Sequence, residues 1–215
     1  QGKYVASASS ELATYPTWAA FDKSTSLSAT GGVYAYWTST NSASQMYSTS
    51  GGAYLGSTTT VDTLGNAYLG EWLQLQLPVS VLLSSYVLYE RSDYTWQAPV
   101  KFWILGSRDG LNWTLVDQRS GLTWASPWNQ TFTVSATQAY NFYRIVVNTT
   151  TNGAGAGGSN PVTILEWTLN GTEESLCVTS DSKVGVGIAN PQRALEVAGD
   201  LVVGGTISGG AGMGM

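Results

Sequence analysis

The stretch VKFWILGSRDGLNWTLV, residues 100–116, contains two strand-like runs separated by an Asp-Gly pair. The first run, 100–107, is rich in aromatic and branched apolar residues, and the second begins at residue 112. An Asp-Gly pair between two such runs is a strong hairpin signal, because tight hairpin turns need backbone angles that Asp and Gly adopt easily. The stretch therefore predicts a β-hairpin within an antiparallel fold.

Similar runs continue on both sides of this hairpin. In EWLQLQLPV, residues 71–79, leucine occupies every second position from Leu73 to Leu77, so one face of the strand is apolar. Further runs cover 84–92, 112–118, 130–136, 141–148 and 162–171. At least seven short strands separated by turn residues are typical of a sandwich or barrel. The chain is predicted to be all-β.

Composition excludes several classes of partner. The 215 residues carry a net charge of −5 with only nine Lys and Arg, which argues against nucleic acid and against an anionic membrane surface. No apolar run reaches the roughly 18 residues of a spanning helix, so we expect no membrane insertion. Two segments interrupt the strand pattern. The Ser-, Thr-, Gly- and Tyr-rich segment 38–70 is predicted to be a long surface excursion, for which a hairpin is one form, at one end of the sandwich, and 148–160 is predicted to be a flexible loop.

Histidine is absent, which removes Ser-His-Asp and Cys-His catalysis and ordinary zinc sites. A carboxylate pair, as in glycoside hydrolysis, is the scheme that stays open, with Glu90 and Asp93 as one candidate pair. Acidic residues are few and scattered along the chain. We therefore expect that the protein is not an enzyme.

Six stretches in a fixed order resemble the discoidin, or coagulation factor 5/8 C-terminal type, domain family. They are AAFDKSTS (19–26), YWTS (36–39), EWLQLQL (71–77), VKFWILGSRDGLNWTLV (100–116), YRIVV (143–147) and ILEWTLNG (164–171). The resemblance covers about residues 4–171 and implies a jelly-roll β-sandwich. It also implies a binding role, chiefly toward glycans and sometimes toward phospholipids or proteins, through loops at one end of the sandwich.

The same resemblance implies a structural calcium ion. Asp22 and Glu166 stand at two of the family's side-chain ligand positions, and two carboxylates plus backbone carbonyls suit this ion. The carbonyls would come from near Ala19, Ser24 and Leu165. At Ala35 the family's hydroxyl ligand is missing. The alternative is that Asp22 only caps a turn and Glu166 pairs with an arginine.

Aromatic residues indicate where a glycan would bind. RSDYTWQAP, residues 91–99, lies between two strands where the family places a binding loop. Tyr94 and Trp96 are predicted to stack on a sugar ring, while Arg91 and Asp93 bind its hydroxyls; the alternative is that Trp96 packs back onto the sandwich. A second candidate patch contains Trp124 and Trp128. Tyr34, Tyr36, Tyr47 and Tyr54 are predicted to rim the first patch.

The C-terminal segment shows a different pattern. VGVGIANPQRALEVAGDLVVGGTISG, residues 184–209, resembles the short repeat of phage tail fibres and of surface proteins of large algal viruses, in which three chains wrap into an intertwined β structure. Its apolar positions are Val184, Val186, Ile188, Leu195, Val197, Leu201, Val203 and Ile207, and its turn is Asn190-Pro191. The apolar face of these strands is predicted to pack against two further copies of the chain. A disordered Gly-rich tail is the alternative.

These inferences combine into one hypothesis. Residues 1–171 are predicted to form a discoidin-like sandwich, and 172–215 a trimerisation tail that ends in a Gly-rich segment. The protein would be a carbohydrate-binding adhesion module of a trimeric fibre, extracellular or on a virion surface, with a cell-surface glycan or glycoprotein as partner and a homotrimer formed through 184–209. The alternative is a structural subunit of a surface fibre or capsid decoration that binds no sugar.

Overall fold

In the computed structural model the chain is built from β-strands joined by turns, as predicted. The structure describes residues 3–40, 47–151, 160–174, 176–179, 181–186 and 191–197. The strands are β1 (Val5–Ala8), β2 (Ala29–Thr30), β3 (Val33–Tyr34), β4 (Trp37–Thr38), β5 (Thr59–Val61), β6 (Ala67–Leu69), β7 (Glu71–Tyr89), β8 (Pro99–Ser107), β9 (Thr114–Arg119), β10 (Asn129–Thr133), β11 (Tyr140–Thr150), β12 (Thr163–Ile164), β13 (Glu166–Glu173), β14 (Leu176–Val178), β15 (Val184–Val186) and β16 (Leu195–Val197). Within these described ranges the helices are two 3-10 segments, Thr17–Phe21 and Thr95–Gln97, and neither is long and apolar enough to cross a membrane.

The first of two compact units, 1–174, is organised around β7, whose 19 residues contribute to both layers of a β-sandwich. The part up to Gln76 pairs with β1 and β11, and the part from Val81 onward pairs with β13 and β10. Pro78 lies between these two parts, where its missing amide hydrogen removes no ladder bond. The sequence predicted separate strands at 71–79 and 84–92, and the structure joins them into one.

The hairpin predicted from residues 100–116 is confirmed. β8 and β9 pair antiparallel, with Phe102 opposite Arg119. At the turn, Gly110 has a φ of +76°, a left-handed value that glycine adopts at little cost. Asp109 stabilises the turn because its Oδ1 accepts hydrogen bonds from the Asn112 and Leu111 amides, each at 2.8 Å.

The main core fills the space between the two layers. The alternation predicted for β7 is confirmed, since Leu73, Leu75 and Leu77 are all buried in this core. Its largest fully buried side chains are Trp37, Trp167, Tyr47, Tyr86, Tyr143 and Phe102. Burial of each large side chain stabilises the fold by about 1.5–3 kcal/mol, so this interior dominates the stability of the unit.

A second apolar cluster covers the outer face of the β1-β7-β11-β8-β9 layer, and the hairpin of β5 and β6 contributes to it. The Arg144 guanidinium lies between the rings of Trp72 and Trp113, 3.9 and 4.1 Å from their centroids. The segment 38–70, predicted as a surface excursion, does contain a hairpin with exposed residues such as Val61 and Leu64, but several of its side chains are buried. Tyr68 belongs to this outer cluster.

Tyr47 and Tyr54, predicted to rim the binding site, are buried in the main core instead. The Tyr47 hydroxyl donates to the Val147 carbonyl at 2.8 Å, and the Tyr54 hydroxyl to Glu71 Oε1 at 2.7 Å. Their rings have no face left for a ligand. The Ser- and Gly-rich composition around these tyrosines suggested exposure, but each hydroxyl has an acceptor inside the protein and can therefore be buried.

The second unit, 175–215, contains a small sheet. β14 pairs antiparallel with β15, and β15 pairs parallel with β16, so that Val184 lies opposite Leu195. Val178, Val186 and Leu195 are 65%, 39% and 52% exposed. The predicted positions Ile188, Asn190, Leu201, Val203 and Ile207 lie outside the described residues, as does the Gly-rich end.

Candidate functional site

The chain segment that follows β7 opens onto a cavity of about 420 Å³. Its walls carry an unusual number of tyrosines together with a few polar groups. We call it the tyrosine cavity, and its main lining residues are Tyr15, Tyr34, Tyr36, Tyr94, Arg91, Asp93 and Gln97. A concave site with aromatic walls and a small number of fixed polar groups is the usual form of a small-ligand site.

One wall is a cluster of three tyrosine rings. Tyr15 and Tyr34 stack with centroids 4.6 Å apart and planes 11° apart, and Tyr36 lies 5.1 and 5.3 Å from them. Tyr34 reaches this position through the β2–β3 hairpin, whose two-residue turn has Gly31 and Gly32 at φ values of +62° and +83°. Both angles are left-handed, as this tight turn requires. Tyr34 and Tyr36 line the cavity, where the sequence placed them.

Arg91 is the central polar residue of the cavity. Its guanidinium lies 4.4 Å from the Tyr36 centroid and 4.2 Å from the Tyr94 centroid. Its Nε and Nη2 donate to the two oxygens of Asp93 at 2.9 and 2.8 Å. Among the described residues no acceptor is bonded to Nη1, which leaves that group available to a ligand.

The surroundings of Asp93 and Tyr36 determine the protonation states of these two residues at neutral pH. The hydrogen bonds from Arg91 lower the pKa of the Asp93 carboxyl, so Asp93 is ionised. Burial raises the pKa of Tyr36 well above its usual value, so its hydroxyl stays neutral. The cavity therefore presents an ionised acceptor at Asp93 and a neutral hydroxyl at Tyr36.

Tyr94 and Trp96 take different positions. Tyr94 is 43% exposed and lines the cavity, so its ring can still receive a ligand. Trp96 lies in the 3-10 segment Thr95–Gln97, half-buried, with its ring 4.8 Å from that of Tyr94. Trp96 is not among the residues that line the cavity. Within the described residues its Nε1 has no hydrogen-bond partner.

The structure separates the two residues of the second predicted patch. Trp124 packs against the main core, and its Nε1 donates to the Pro99 carbonyl at 2.7 Å. Trp128 lines a smaller cavity of about 260 Å³, together with Glu90. Burial raises the pKa of Glu90 well above its usual value. Glu90 and Asp93 thus line different cavities and do not flank one bond as a hydrolytic carboxylate pair would.

Two residues near the binding end were not singled out by the sequence. Tyr15 and Gln97 line the tyrosine cavity, and Gln97 Oε1 accepts a hydrogen bond from the buried Thr163 hydroxyl at 2.6 Å. Tyr15 is in the loop TYPTW, 14–18, where an aromatic residue beside proline was the available signal. Trp18 in the same loop is 56% exposed but lies at another cavity.

The residues implied to hold calcium do fit a cation. Glu166 is 3% exposed, and burial, with the Asp22 carboxylate nearby, raises its pKa to about 7. Its Oε2 accepts a hydrogen bond from the Lys23 amide at 3.1 Å, and no arginine in the described part of the chain forms an ion pair with it. Asp22 Oδ1 also caps the turn by accepting from the Ser24 amide at 2.7 Å. A buried carboxylate beside a second one has the oxygen donors and the unbalanced charge that a divalent cation would neutralise.

Two of the other implied ligands, Ala19 and Leu165, can offer only backbone oxygens. Ala19 is buried in the 3-10 segment Thr17–Phe21, and Leu165 is buried between β12 and β13, where its amide donates to the Tyr89 carbonyl. Among the described residues no group of three or more acidic, His or Cys side chains could hold a metal ion. A calcium site here would therefore depend on carbonyl groups for most of its ligands.

No protein-family model matches the chain, and no curated protein matches it either. Solved structures are similar to it. A family 32 carbohydrate-binding module from a family 31 glycoside hydrolase of Clostridium perfringens aligns with a TM-score of 0.57 and 16% identity, over 79% of this chain and 92% of that chain. The family 32 module of Streptococcus pneumoniae EndoD aligns with a TM-score of 0.52 and 11% identity, over 80% and 97%.

The lectin binding domain of Lectinolysin, solved in complex with Lewis b, aligns with a TM-score of 0.52 and 12% identity, over 80% of this chain and 94% of that chain. At these identities the similarity establishes the fold. The predicted discoidin-like β-sandwich is therefore confirmed for the first unit.

Proposed function

We propose that the protein is a carbohydrate-binding module and that the tyrosine cavity is its glycan site. The observation that carries this proposal is the Arg91 guanidinium, fixed between Tyr36 and Tyr94 with Nη1 left for a ligand. The fold shared with family 32 carbohydrate-binding modules supports it. So does the neighbour solved with Lewis b, a glycan.

Binding would combine a ring contact with charged hydrogen bonds. The exposed ring of Tyr94 offers a flat apolar surface to the C–H face of a sugar. Arg91 Nη1 and the Asp93 oxygens would then bind hydroxyls on the rim of that sugar, and hydrogen bonds to charged groups contribute about 1.5–3 kcal/mol each. Because the ion pair and the tyrosine cluster hold these groups in place, little ordering cost would arise on binding.

The same geometry favours reversible binding over catalysis. Asp93 is held by Arg91 as an ion-pair partner, and Glu90 belongs to the other cavity. Neither carboxylate has the paired arrangement that cleavage of a glycosidic bond requires. We infer that the protein recognises a glycan and leaves it unchanged.

A structural calcium ion is part of this proposal. Asp22 and Glu166 would bind it through their carboxylates, and the carbonyls of Ala19, Ser24 and Leu165 would complete the oxygen shell. Bound calcium supplies positive charge that offsets the mutual repulsion of the two carboxylates. The raised pKa of Glu166 supports the proposal, because the amide and the charge of Lys23 offset the burial and the repulsion from Asp22 only in part.

We also propose that the second unit trimerises and that the protein acts in an extracellular or virion-surface fibre. The exposed apolar side chains of Val178, Val186 and Leu195 support an association with further copies. Three weak glycan sites on one particle would bind a cell surface with an apparent affinity higher by a factor of about 10² or more, since later contacts become intramolecular.

The decisive experiment is a glycan array probed with the full chain and with two variants. Tyr94→Ala removes the exposed ring of the tyrosine cavity and should weaken binding to each recognised glycan at least about 10-fold. Trp18→Ala is the matched control, because Trp18 is also exposed but lies outside this cavity. Equal loss in both variants, or no bound glycan at all, would contradict the proposal and favour a structural subunit.

A further inference from the structure

Gln97 is a polar residue of the tyrosine cavity to which the proposed function assigns no role. It is only 7% exposed, yet it lines the cavity. Hydrogen bonds join it through Thr163 to Thr38, and the Leu12 amide donates to the Thr38 carbonyl. We call the lining residues Leu12, Thr38, Gln97 and Pro161 the floor of the cavity.

The hydrogen bonds of Gln97 determine which way its side-chain amide points. The Thr163 hydroxyl lies 2.6 Å from Oε1, a distance typical of an O–H donor and shorter than N–H···O bonds usually are, so Oε1 is the acceptor. The Thr163 proton is thereby used, and the Thr38 hydroxyl, 3.0 Å away, donates to the Thr163 oxygen. The carbonyl is therefore the side of the amide that the protein holds, and the NH2 group is the side left for the cavity.

The Gln97 Nε2 group is an open donor. Among the described residues it bonds to no acceptor, and it is not sealed inside the protein as the indole nitrogens of Trp96 and Trp167 are. Arg91 Nη1 is a second open donor, on a residue that is 8% exposed. A ligand that displaces water from these two donors must supply acceptors in its place, because a desolvated N–H without a partner costs free energy.

The surroundings of these donors distinguish among acceptor groups. A carboxylate would lie beside Asp93, which is ionised and bonded to the same guanidinium, so the two anions would repel each other. A hydroxyl would satisfy a donor but would place a polar group against the apolar side chains of Leu12 and Pro161. An acetamido group avoids both costs, because it is uncharged and combines a carbonyl oxygen and an N–H with a methyl group.

We propose that the floor of the tyrosine cavity recognises the acetamido group of an N-acetylated amino sugar and that Gln97 determines this specificity. The carbonyl oxygen accepts from Gln97 Nε2, the N–H donates to the Asp93 carboxylate, and the methyl group lies against Leu12 and Pro161. The cavity volume of about 420 Å³ leaves room for this substituent beside a sugar ring. The ring keeps its place on Tyr94, so this inference rests on the proposed function and narrows its ligand to one class of sugar.

The test is a titration of the full chain with N-acetylglucosamine and N-acetylgalactosamine, each compared with its parent hexose, and with glucuronate as the charged alternative. Binding is followed by the NMR resonance of the Trp96 indole N–H, because that ring lies 4.8 Å from the ring of Tyr94. Trp96→Phe identifies the resonance. At least one N-acetyl sugar should bind about 10-fold or more tightly than its parent, since a site built for a polar group rejects the analogue that lacks it.

Two variants test the role of Gln97. Gln97→Glu keeps an acceptor for Thr163 and replaces the NH2 group with an oxygen, so the ratio of N-acetyl sugar to hexose affinity should fall at least about 5-fold. Gln97→Met removes the donor without adding charge and should lower the ratio in the same direction. Gln118→Glu is the matched control, an exposed position on β9 outside the cavity, and should keep the wild-type ratio. Melting temperatures show whether each variant is folded.

Several outcomes would overturn this inference. Equal affinity for the N-acetyl sugars and their parents, or no binding of any of these sugars, would remove the acetamido group as the ligand. Tightest binding of glucuronate would show a site for acidic sugars, and an unchanged ratio in both Gln97 variants would remove the role of that residue. Array glycans that lack an acetamido group and are lost in Tyr94→Ala would support the proposed function and contradict only this inference.

Discussion

At the residue scale, the properties of this molecule depend on which charged groups have partners. Arg91 and Asp93 neutralise each other in the tyrosine cavity, and Arg144 is enclosed by two tryptophans. Glu166 is equally buried but lacks an ion pair among the described residues. A paired charge stiffens a binding surface, whereas an unpaired buried carboxyl marks a position that a cation can complete.

The calcium proposal gives a prediction at this scale. Addition of chelator should lower the melting temperature of the full chain, because an ion bound only by the native state adds RT ln(1 + [L]/Kd) to stability. Asp22→Ala should be destabilised and insensitive to chelator. Glu173→Gln alters an exposed carboxylate on the same strand as Glu166 and is the control that should remain sensitive. Identical wild-type melting curves with calcium and with chelator would refute the site.

These residue contacts could be predicted only in part from the sequence. RSDYTWQAP identified Arg91, Asp93 and Tyr94 because all three are in one loop. Gln97 is in the same stretch but was not singled out, because its burial and its hydrogen bond to Thr163 depend on tertiary packing. Tyr15 joins the cavity from another part of the chain, and no local pattern reports such a contact. The sequence also did not show that Tyr94 lines the cavity while Trp96 does not, because the directions of these two side chains depend on the 3-10 turn at Thr95–Gln97.

At the scale of elements, the alternation of apolar and polar residues predicted strands correctly where one face of the strand is buried. The alternation in 71–77 and the Asp-Gly turn of 107–113 both identified the strands that the structure contains. The continuity of β7 was missed because Pro78 usually ends a strand, and here it lies between two sets of pairing partners. Tyr68 was missed because its burial comes from packing on the outer face of a sheet.

The turn of the β8–β9 hairpin gives a prediction of pH dependence. Burial opposes ionisation of Asp109, but the hydrogen bonds from the Asn112 and Leu111 amides prevail and lower its pKa from 3.8 to about 2. A depressed carboxyl pKa contributes stability above pH 3.8 that is lost as the pH falls toward 2. Asp109→Asn should therefore melt below wild type at neutral pH, and the difference should shrink on acidification. A difference in melting temperature that stays constant over this range would contradict the role of the charge.

At the scale of the whole molecule, the two units have different expected roles. The sandwich of 1–174 has a closed core and an open cavity, whereas the small sheet in 175–215 leaves apolar side chains exposed. The predicted repeat pattern identified the apolar positions Val184, Val186 and Leu195. The number of copies that associate through these positions could not be read directly from the sequence, because a single sequence carries no direct record of association.

Trimerisation is the prediction that belongs to this scale. Sedimentation of the full chain should give three times the 22.8 kDa of one chain, and a chain that ends at Glu174 should be a monomer. Leu195→Asp places a charge on an exposed apolar position of β16 and should dissociate the trimer without changing the melting of the sandwich. A monomeric wild type would refute the proposal.

The long strand β7 has a mechanical consequence. The loop that carries Arg91, Asp93 and Tyr94 begins just after the end of β7 at Tyr89. The neighbouring strand β13 begins opposite that end and runs antiparallel to β7 as far as Val81, before the chain continues to the second unit. Tension between a bound glycan and the tail would pull these two strands along their length in opposite directions. Their hydrogen bonds, which lie across the strands, would share the load together and would not open one at a time. Under the proposed function, this connection would help the sandwich to resist the drag on a tethered particle.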